Sequence, residues 1–245
     1  MLERYTMDLH IHTCLSPCGE SESVPTRIVQ LALDAGVDAL AVCDHNASEN
    51  VVPVRKAAEG KDLTVFGGME ITSQEEVHIL GIFDESGSLE KMQELVYANL
   101  AGRNNKEVFG PQYIVDEEDY VEGYNEHLLI GATDLSVDAV ISAVRDFGGL
   151  VIASHIDREA FGLISQLGFV PEGLDLDAVE LSKNYKKSPY SLEGIGYPFV
   201  TFSDAHHPED IGTATTVFVL EQPTVAELRM ACAGMKGRGI ETKAA

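Results

Sequence analysis

Basic residues are scarce in this sequence. It carries 17 Lys and Arg against 40 Asp and Glu, a formal net charge of −23. Such a surface repels a polyanion, so duplex nucleic acid is not an expected partner. Adjacent basic residues occur only as Arg55-Lys56 and Lys186-Lys187, which provides no basic groove. The excess acid is expected to be a solvated surface suited to a salt-tolerant host or a basic partner, and a bound cation can reverse the potential at one site. Long apolar runs are missing as well. No stretch approaches the roughly 18 residues that a membrane span needs. The opening MLERYTMDLHIHT has no apolar run of signal-peptide length, and a cytoplasmic location is expected. The four cysteines, Cys14, Cys18, Cys43 and Cys232, include no CxxC pair. That speaks against a zinc knuckle and a thioredoxin motif, and the thiols are expected to be reduced. Cys43 ends an apolar run, as a small buried hydrophobe does.

What remains is an ordinary globular composition over 245 residues, enough for one domain with a full core. Short apolar runs alternate with helix-like segments. Strands are expected at 6–12 (TMDLHIH), 38–43, 63–67, 77–83, 150–154, 177–181, 197–203 and 215–220. Helical periodicity fills 25–36, a stretch from Asn46 or Ser48 towards Ala58, 88–101, 136–147, 158–167 and a last helix from Thr224. Residues 102–134 are less regular and hold the acidic run Asp116 to Asp119, which suggests a lid or helical insertion within a single domain spanning 1–245. The alternation predicts an α/β fold with mostly parallel strands, as a barrel or an open sheet.

Metal-ligand residue types gather at the ends of these strands. His10 and His12 close the first, Asp44 and His45 follow the second, and Glu70 follows the third. His78 lies in the fourth, His155 follows LVIAS, and Asp204 and His206 follow VTFS. Parallel α/β folds collect functional side chains at the carboxyl ends of their strands. Two residues apart on a strand, His10 and His12 face the same way, and Asp204 and His206 repeat the spacing if the chain stays extended. Imidazoles mixed with carboxylates suit Zn, Mn or Fe, and a carboxylate can bridge two ions. Each residue taken singly is more ordinarily a capping or hydrogen-bonded group. Their concentration at one set of strand ends points to a shared metal site. His127 and His207 fall outside the set.

These residues carry a resemblance. Asp8-Leu9-His10-Ile11-His12, Cys43-Asp44-His45-Asn46, Gly68-Met69-Glu70, His78, Ser154-His155-Ile156-Asp157 and Ser203-Asp204-Ala205-His206 resemble, in order, the motifs of the PHP (polymerase and histidinol phosphatase) family. The resemblance runs from about residue 6 to residue 212. It implies a distorted (β/α)7 barrel with the metal site at the carboxyl ends of its strands, and hydrolysis of phosphate esters. It assigns a first metal to His10, His12, Glu70 and Asp204, a second to Glu70, His78 and His155, and a third to His45 and His206. Asp44 is then expected to orient His45. Cys18 stands where the family often has a further histidine. It is either a thiolate ligand that favours Zn or Fe, or a loop residue that leaves two metals rather than three.

The expected chemistry is hydrolysis of a phosphomonoester or phosphodiester by a metal-activated hydroxide. Arg158, Lys183 and Arg103 are candidates for phosphate contact or for closing over substrate, against an ordinary surface role for each. The expected substrate is a small phosphorylated molecule. The rival readings are a nuclease acting on short oligonucleotide ends and a non-catalytic, metal-stabilised module.

Overall fold

The computed structural model describes residues 1–241. Strands β1 (Glu3–Ile11), β2 (Ala39–Val42) and β3 (Thr64–Thr72) pair in parallel, joined by helices α1 (Pro25–Asp34) and α2 (Val51–Ala57). Pro25 opens α1 at a position where its missing N–H costs nothing. Strand β4 (His78–Phe83) turns back antiparallel to β3. Helices α3 (Ser86–Asn99) and α4 (Lys106–Phe109), hairpin strands β5 (Tyr113–Val115) and β6 (Val121–Tyr124), and α5 (Val137–Asp146) precede β7 (Leu150–Ala153), which pairs antiparallel with β4. After α6 (Leu163–Leu167), β8 (Ala178–Leu181) and β9 (Phe199–Thr201) continue the sheet in parallel. Strand β10 (Thr216–Leu220) runs antiparallel beside β1, and β11 (Gly239–Glu241), beyond α7 (Val225–Cys232), edges β10.

The sheet curls back on itself just past β9. Ile11 and Ala205 form a parallel bridge, and the His12 N–H donates to the Ala205 carbonyl at 3.0 Å. Strands β1, β2, β3, β4, β7, β8 and β9 therefore ring a nearly closed barrel of the expected (β/α)7 kind. Its main distortion is β4, which runs against its neighbours.

Two apolar clusters follow the alternation of strand side chains. Leu9, Ala41, Phe66, Leu80, Ile152 and Phe202 pack inside the barrel, which α7 closes at one end through Val225 and Leu228. Leu40, Met69, Ile79, Val151 and Val179 face outwards against α1, α2, α3 and α5.

Three local expectations are corrected. Strand β3 runs on to Thr72, so Glu70 sits inside a strand rather than after it. The helix expected over 158–167 shrinks to α6, because residues 155–162 form a tight turn. Helix α2 begins after Asn50, whose side chain does not cap it but donates to the Tyr113 carbonyl and accepts from the Val115 N–H. Residues 102–134 contain the β5–β6 hairpin and the four-residue α4. They are tied to the barrel by Asn50 and by Thr26, which bonds Asp119. No helix among the described residues is long and apolar enough to cross a membrane.

Candidate metal centre

A register shift in β1 aims the first two histidines. Met7 and Leu9 belong to the inner cluster, whereas Ile11 joins the outer one. The pairing with β2 slips between Asp8 and Ile11, as a bulge does when it re-aims side chains. His10 and His12 consequently point into the mouth of the barrel, both buried. Glu70 reaches the same place from β3. His78 begins β4, and because β4 is reversed, its first residue lies at the edge where the parallel strands end. His155 and Asp204 follow β7 and β9 with backbone φ of 24° and 49°, so the chain turns sharply at each.

The His10 and His12 Nε2 atoms are 3.1 Å apart. Asp204 Oδ1 is 3.3 Å from the first and 3.1 Å from the second. Glu70 places an oxygen 3.4 Å from each. His45, His78 and His155 approach Glu70 at 3.0, 3.0 and 3.1 Å. Several of these buried atoms, including Glu70 Oε2 and His78 Nδ1, make no hydrogen bond despite their close neighbours. Polar atoms this near one another without hydrogen-bond angles converge on common points instead.

The spacing fits metal ions. Donors about 2.0–2.1 Å from a tetrahedral ion lie about 3.3 Å from one another. Among the described residues, three sets of donors fall within 4.8 Å: His10, His12, Glu70 and Asp204; His45, Glu70 and His78; and His12, His45 and His206. The first set is the one the family resemblance assigns. In the second, His45 joins Glu70 and His78, while His155 contacts Glu70. The third adds His12 to the expected pair.

The electrostatics agree. Burial works against charge on His10, but Glu180, Asp204 and Glu70 outweigh it and raise its pKa well above the usual imidazole range. Burial likewise works against ionisation of Glu70, yet His78, His10 and His45 hold it well below the usual carboxylate range. The pocket therefore favours positive charge, which a metal cation supplies once the imidazoles give up their protons. For His78, burial outweighs Glu70 and brings the pKa down to about 4, leaving a neutral ring whose lone pair is free.

Cys18 is exposed as a residue, but its Sγ lies 3.1 Å from His45 Nε2. Burial of the thiol opposes ionisation. The charge and hydrogen bonding of His45 and His206 prevail and lower its pKa to about 5. Cys14, in contrast, is pushed up to about 12, chiefly by burial.

The candidates for substrate contact divide. Arg158 lines the cavity of about 250 Å³ above the cluster and lies 2.5 Å from Asp204 Oδ2. Lys183 does not line this cavity; its ammonium is paired with Asp210 at 2.9 Å. Arg103 is paired with Glu126 and also lies outside the lining. The Asp44 carboxylate makes no direct hydrogen bond to His45 among the described residues, but it holds Ser16, whose Oγ accepts from the His45 backbone N–H at 3.2 Å. The carboxylate accepts from the Thr13 N–H, the Thr13 hydroxyl and the Ser16 hydroxyl, and Ser16 Oγ is 2.9 Å from His12 Nδ1. Asp44 thus reaches both the His12 ring and the His45 backbone through Ser16.

Glu180 was missed in the sequence. It is fully buried in β8, 2.9 Å from His10 Nδ1, and it accepts from the His155 N–H at 3.2 Å. The available signal was a single carboxylate inside the otherwise apolar strand Ala178–Leu181. Asn46 is a latch rather than the helix cap that its position suggests. Its side chain donates to the Leu129 and Gly131 carbonyls and accepts from the Thr72 N–H.

The family model described as PHP domain matches residues 8–165, and the one described as PHP-associated matches residues 192–232. A 5'-3' exoribonuclease of Haemophilus influenzae is 31% identical over 112 residues, which make up 44% of this chain and 38% of that protein. A phosphoribosyl 1,2-cyclic phosphate 1,2-diphosphodiesterase of Eggerthella lenta is 28% identical over 86 residues, or 33% of this chain and 32% of that protein. The matched stretches thus span about a third of each curated relative. A lesion-specific endonuclease from Pyrococcus furiosus superposes with a TM-score of 0.66 at 18% identity, covering 97% of this chain and 58% of the endonuclease chain. At that identity the likeness is one of fold.

Proposed function

The chain belongs to the PHP domain family, and from that premise we propose that it is a metal-dependent phosphoesterase hydrolysing a phosphomonoester or phosphodiester. The carrying observation is the mutual spacing of 3.1 to 3.4 Å among donors of His10, His12, Glu70 and Asp204. These four would hold a first divalent ion. Glu70 and His78, with His45 and His155 beside them, would hold a second. His45, His206 and the Cys18 thiolate would hold a third. Zn, Mn and Fe all suit the donor types, with Cys18 weighting the third site towards Zn or Fe. Such ions supply a hydroxide nucleophile near neutral pH and offset charge on the phosphoryl oxygens.

The protein's own groups orient that chemistry. Glu180 fixes the His10 ring and Ser16 fixes the His12 ring, each from Nδ1, which leaves both Nε2 atoms aimed into the cavity. Arg158 has five N–H donors and uses only part of them on Asp204, so its guanidinium can take two oxygens of a phosphate. Lys183 would serve only by leaving Asp210.

The substrate we infer is a small phosphorylated molecule. A cavity of about 250 Å³ suits a phosphate with a modest substituent, and the net charge of −23 repels long polyanions. A second reading, cleavage at the end of a short oligonucleotide, is favoured by the similarity to the exoribonuclease. We infer that the chain is one unit, in which residues 102–134 contribute Ile130 to the cavity wall. Its four free cysteines accord with work in the cytoplasm. The test is a panel of phosphomonoesters, cyclic phosphodiesters, nucleoside bisphosphates and short RNA and DNA with added Mn or Zn. Turnover of a small ester that His12→Ala abolishes is the expected result. Hydrolysis of none of them overturns the proposal.

A further inference from the structure

Four of the six histidines in the cluster have a ring nitrogen engaged by a hydrogen-bonding group other than the shared Glu70: His10 faces Glu180, His12 faces Ser16, His45 faces Cys18, and His206 faces the Asp204 carbonyl. His155 bonds Glu70 through Nε2, and its Nδ1 has no partner among the described residues. Among the described residues the His78 ring makes no such bond, although its Nδ1 lies 3.0 Å from Glu70 Oε1. An imidazole can rotate about its Cβ–Cγ bond, and without a polar tether that rotation would swing Nδ1 away from Glu70.

Phe161 lies flat on this ring. The two ring centroids are 4.4 Å apart and the planes differ by 16°. The Phe161 carbonyl also accepts the His78 N–H at 3.0 Å, so side chain and backbone hold the same partner. The chain adopts an unfavourable conformation to achieve this. Phe161 has a backbone φ of 58°, a region that bulky side chains rarely enter. At Gly162, a Cβ would come within 2.6 Å of the Arg158 carbonyl oxygen, so the turn closes only with glycine there. That one turn carries His155, Arg158 and Phe161 to the site.

We propose that Phe161 is a positioning residue that fixes the plane of the His78 ring, aiming its Nδ1 at the position shared with Glu70. It does by stacking what Glu180 does for His10 by hydrogen bonding. The inference rests on the metal-centre reading for its consequence, but the ring contact itself is independent of metal and of substrate.

The decisive variant is Phe161→Gly, because glycine takes up φ 58° without strain and the fold is expected to survive. Phe161→Leu supplies a second apolar variant with no aromatic face, and Phe161→Tyr restores the ring. In metal-free protein, NMR of the His78 ring protons, assigned by their loss in His78→Gln, should show upfield shifts from the Phe161 face. These shifts should vanish in Phe161→Gly and Phe161→Leu and persist in Phe161→Tyr. Titration with Mn or Zn should show one equivalent weakened about 10–100-fold in the first two variants and recovered in the third. Unchanged His78 shifts in Phe161→Gly would overturn the stack. Full retention of every metal equivalent in Phe161→Gly and Phe161→Leu would overturn the positioning role. Failure of wild-type protein to hydrolyse any ester would refute the proposed function while leaving the NMR and metal readouts intact.

Discussion

Glu180 holds His10 from behind: its carboxylate lies 2.9 Å from His10 Nδ1, and both residues are fully buried. The pair decides which ring nitrogen faces the cavity. Glu180→Gln keeps the shape but loses the charge, so its partner ring is less firmly held and less basic. The first metal should bind about 10–100-fold more weakly, and kcat/KM should fall with it. Isothermal titration with Mn, alongside steady-state rates, checks this. Unaltered metal affinity would reduce Glu180 to a packing residue.

Removal of metal should cost stability. The cluster buries His10, His12, His45, Glu70 and Asp204 in overlapping donor sets, and an ion present at 100 times its Kd adds about 2.7 kcal/mol. Chelator-treated protein should therefore melt several degrees lower, and Zn or Mn should restore the transition in a concentration-dependent way. Differential scanning calorimetry would expose the opposite result, an unchanged Tm.

Much of this site was legible in the sequence, and the reasons it was legible differ from residue to residue. His10, His12, His45, His155, Asp204 and His206 stand at strand ends, where local alternation locates them. His78 is legible only as a histidine in a strand. That its strand runs backwards, bringing its first residue to the shared edge, depends on pairing with Thr72 across the β3–β4 turn. The bulge that turns His10 inwards leaves no local mark, because the slip is relative to β2. The partners of Asp44 lie beyond local reading for a similar reason: the 13–16 loop folds back 28 to 31 residues along the chain to meet it. Phe161 looked helical because its backbone conformation is set by the closed turn before α6 rather than by periodicity.

Cys18→Ser should shift metal preference. A thiolate beside His45 and His206 favours softer ions, and a serine hydroxyl does not replace it. Elemental analysis after exposure to equal Zn and Mn should show less Zn in the variant, with the deficit confined to one equivalent. An identical Zn-to-Mn ratio would exclude Cys18 from the ligand set.

The charge of −23 predicts a salt response. Exposed like charges repel across the folded surface, and about 0.15 M salt screens them beyond roughly 8 Å. Thermal melts in NaCl from 0.01 M upwards should show Tm rising steeply at first and then levelling. A flat profile would overturn the expectation that the acidic excess opposes folding.

Asn46 ties residues 102–134 to the metal centre. It is buried beside His45, donates to the carbonyls of Leu129 and Gly131 at 2.9 Å each, and accepts from the Thr72 N–H at 3.0 Å. Ile130, between the two carbonyls, lines the cavity. Asn46→Ala leaves three backbone groups without this partner, and the two that are buried, the Leu129 carbonyl and the Thr72 N–H, are each worth about 1–3 kcal/mol if nothing replaces it. Holding the φ of 51° at this position, which Asn tolerates better than Ala, adds strain. The variant should exchange amide hydrogens faster around 129–133 while β1, β2 and β7 stay protected. Because Ile130 forms part of the wall, KM should rise more than kcat falls. Hydrogen exchange read by mass spectrometry separates the outcomes: faster exchange throughout the barrel would make Asn46 a general stabiliser, whereas change confined to 125–133 would identify it as the latch that sets the cavity wall.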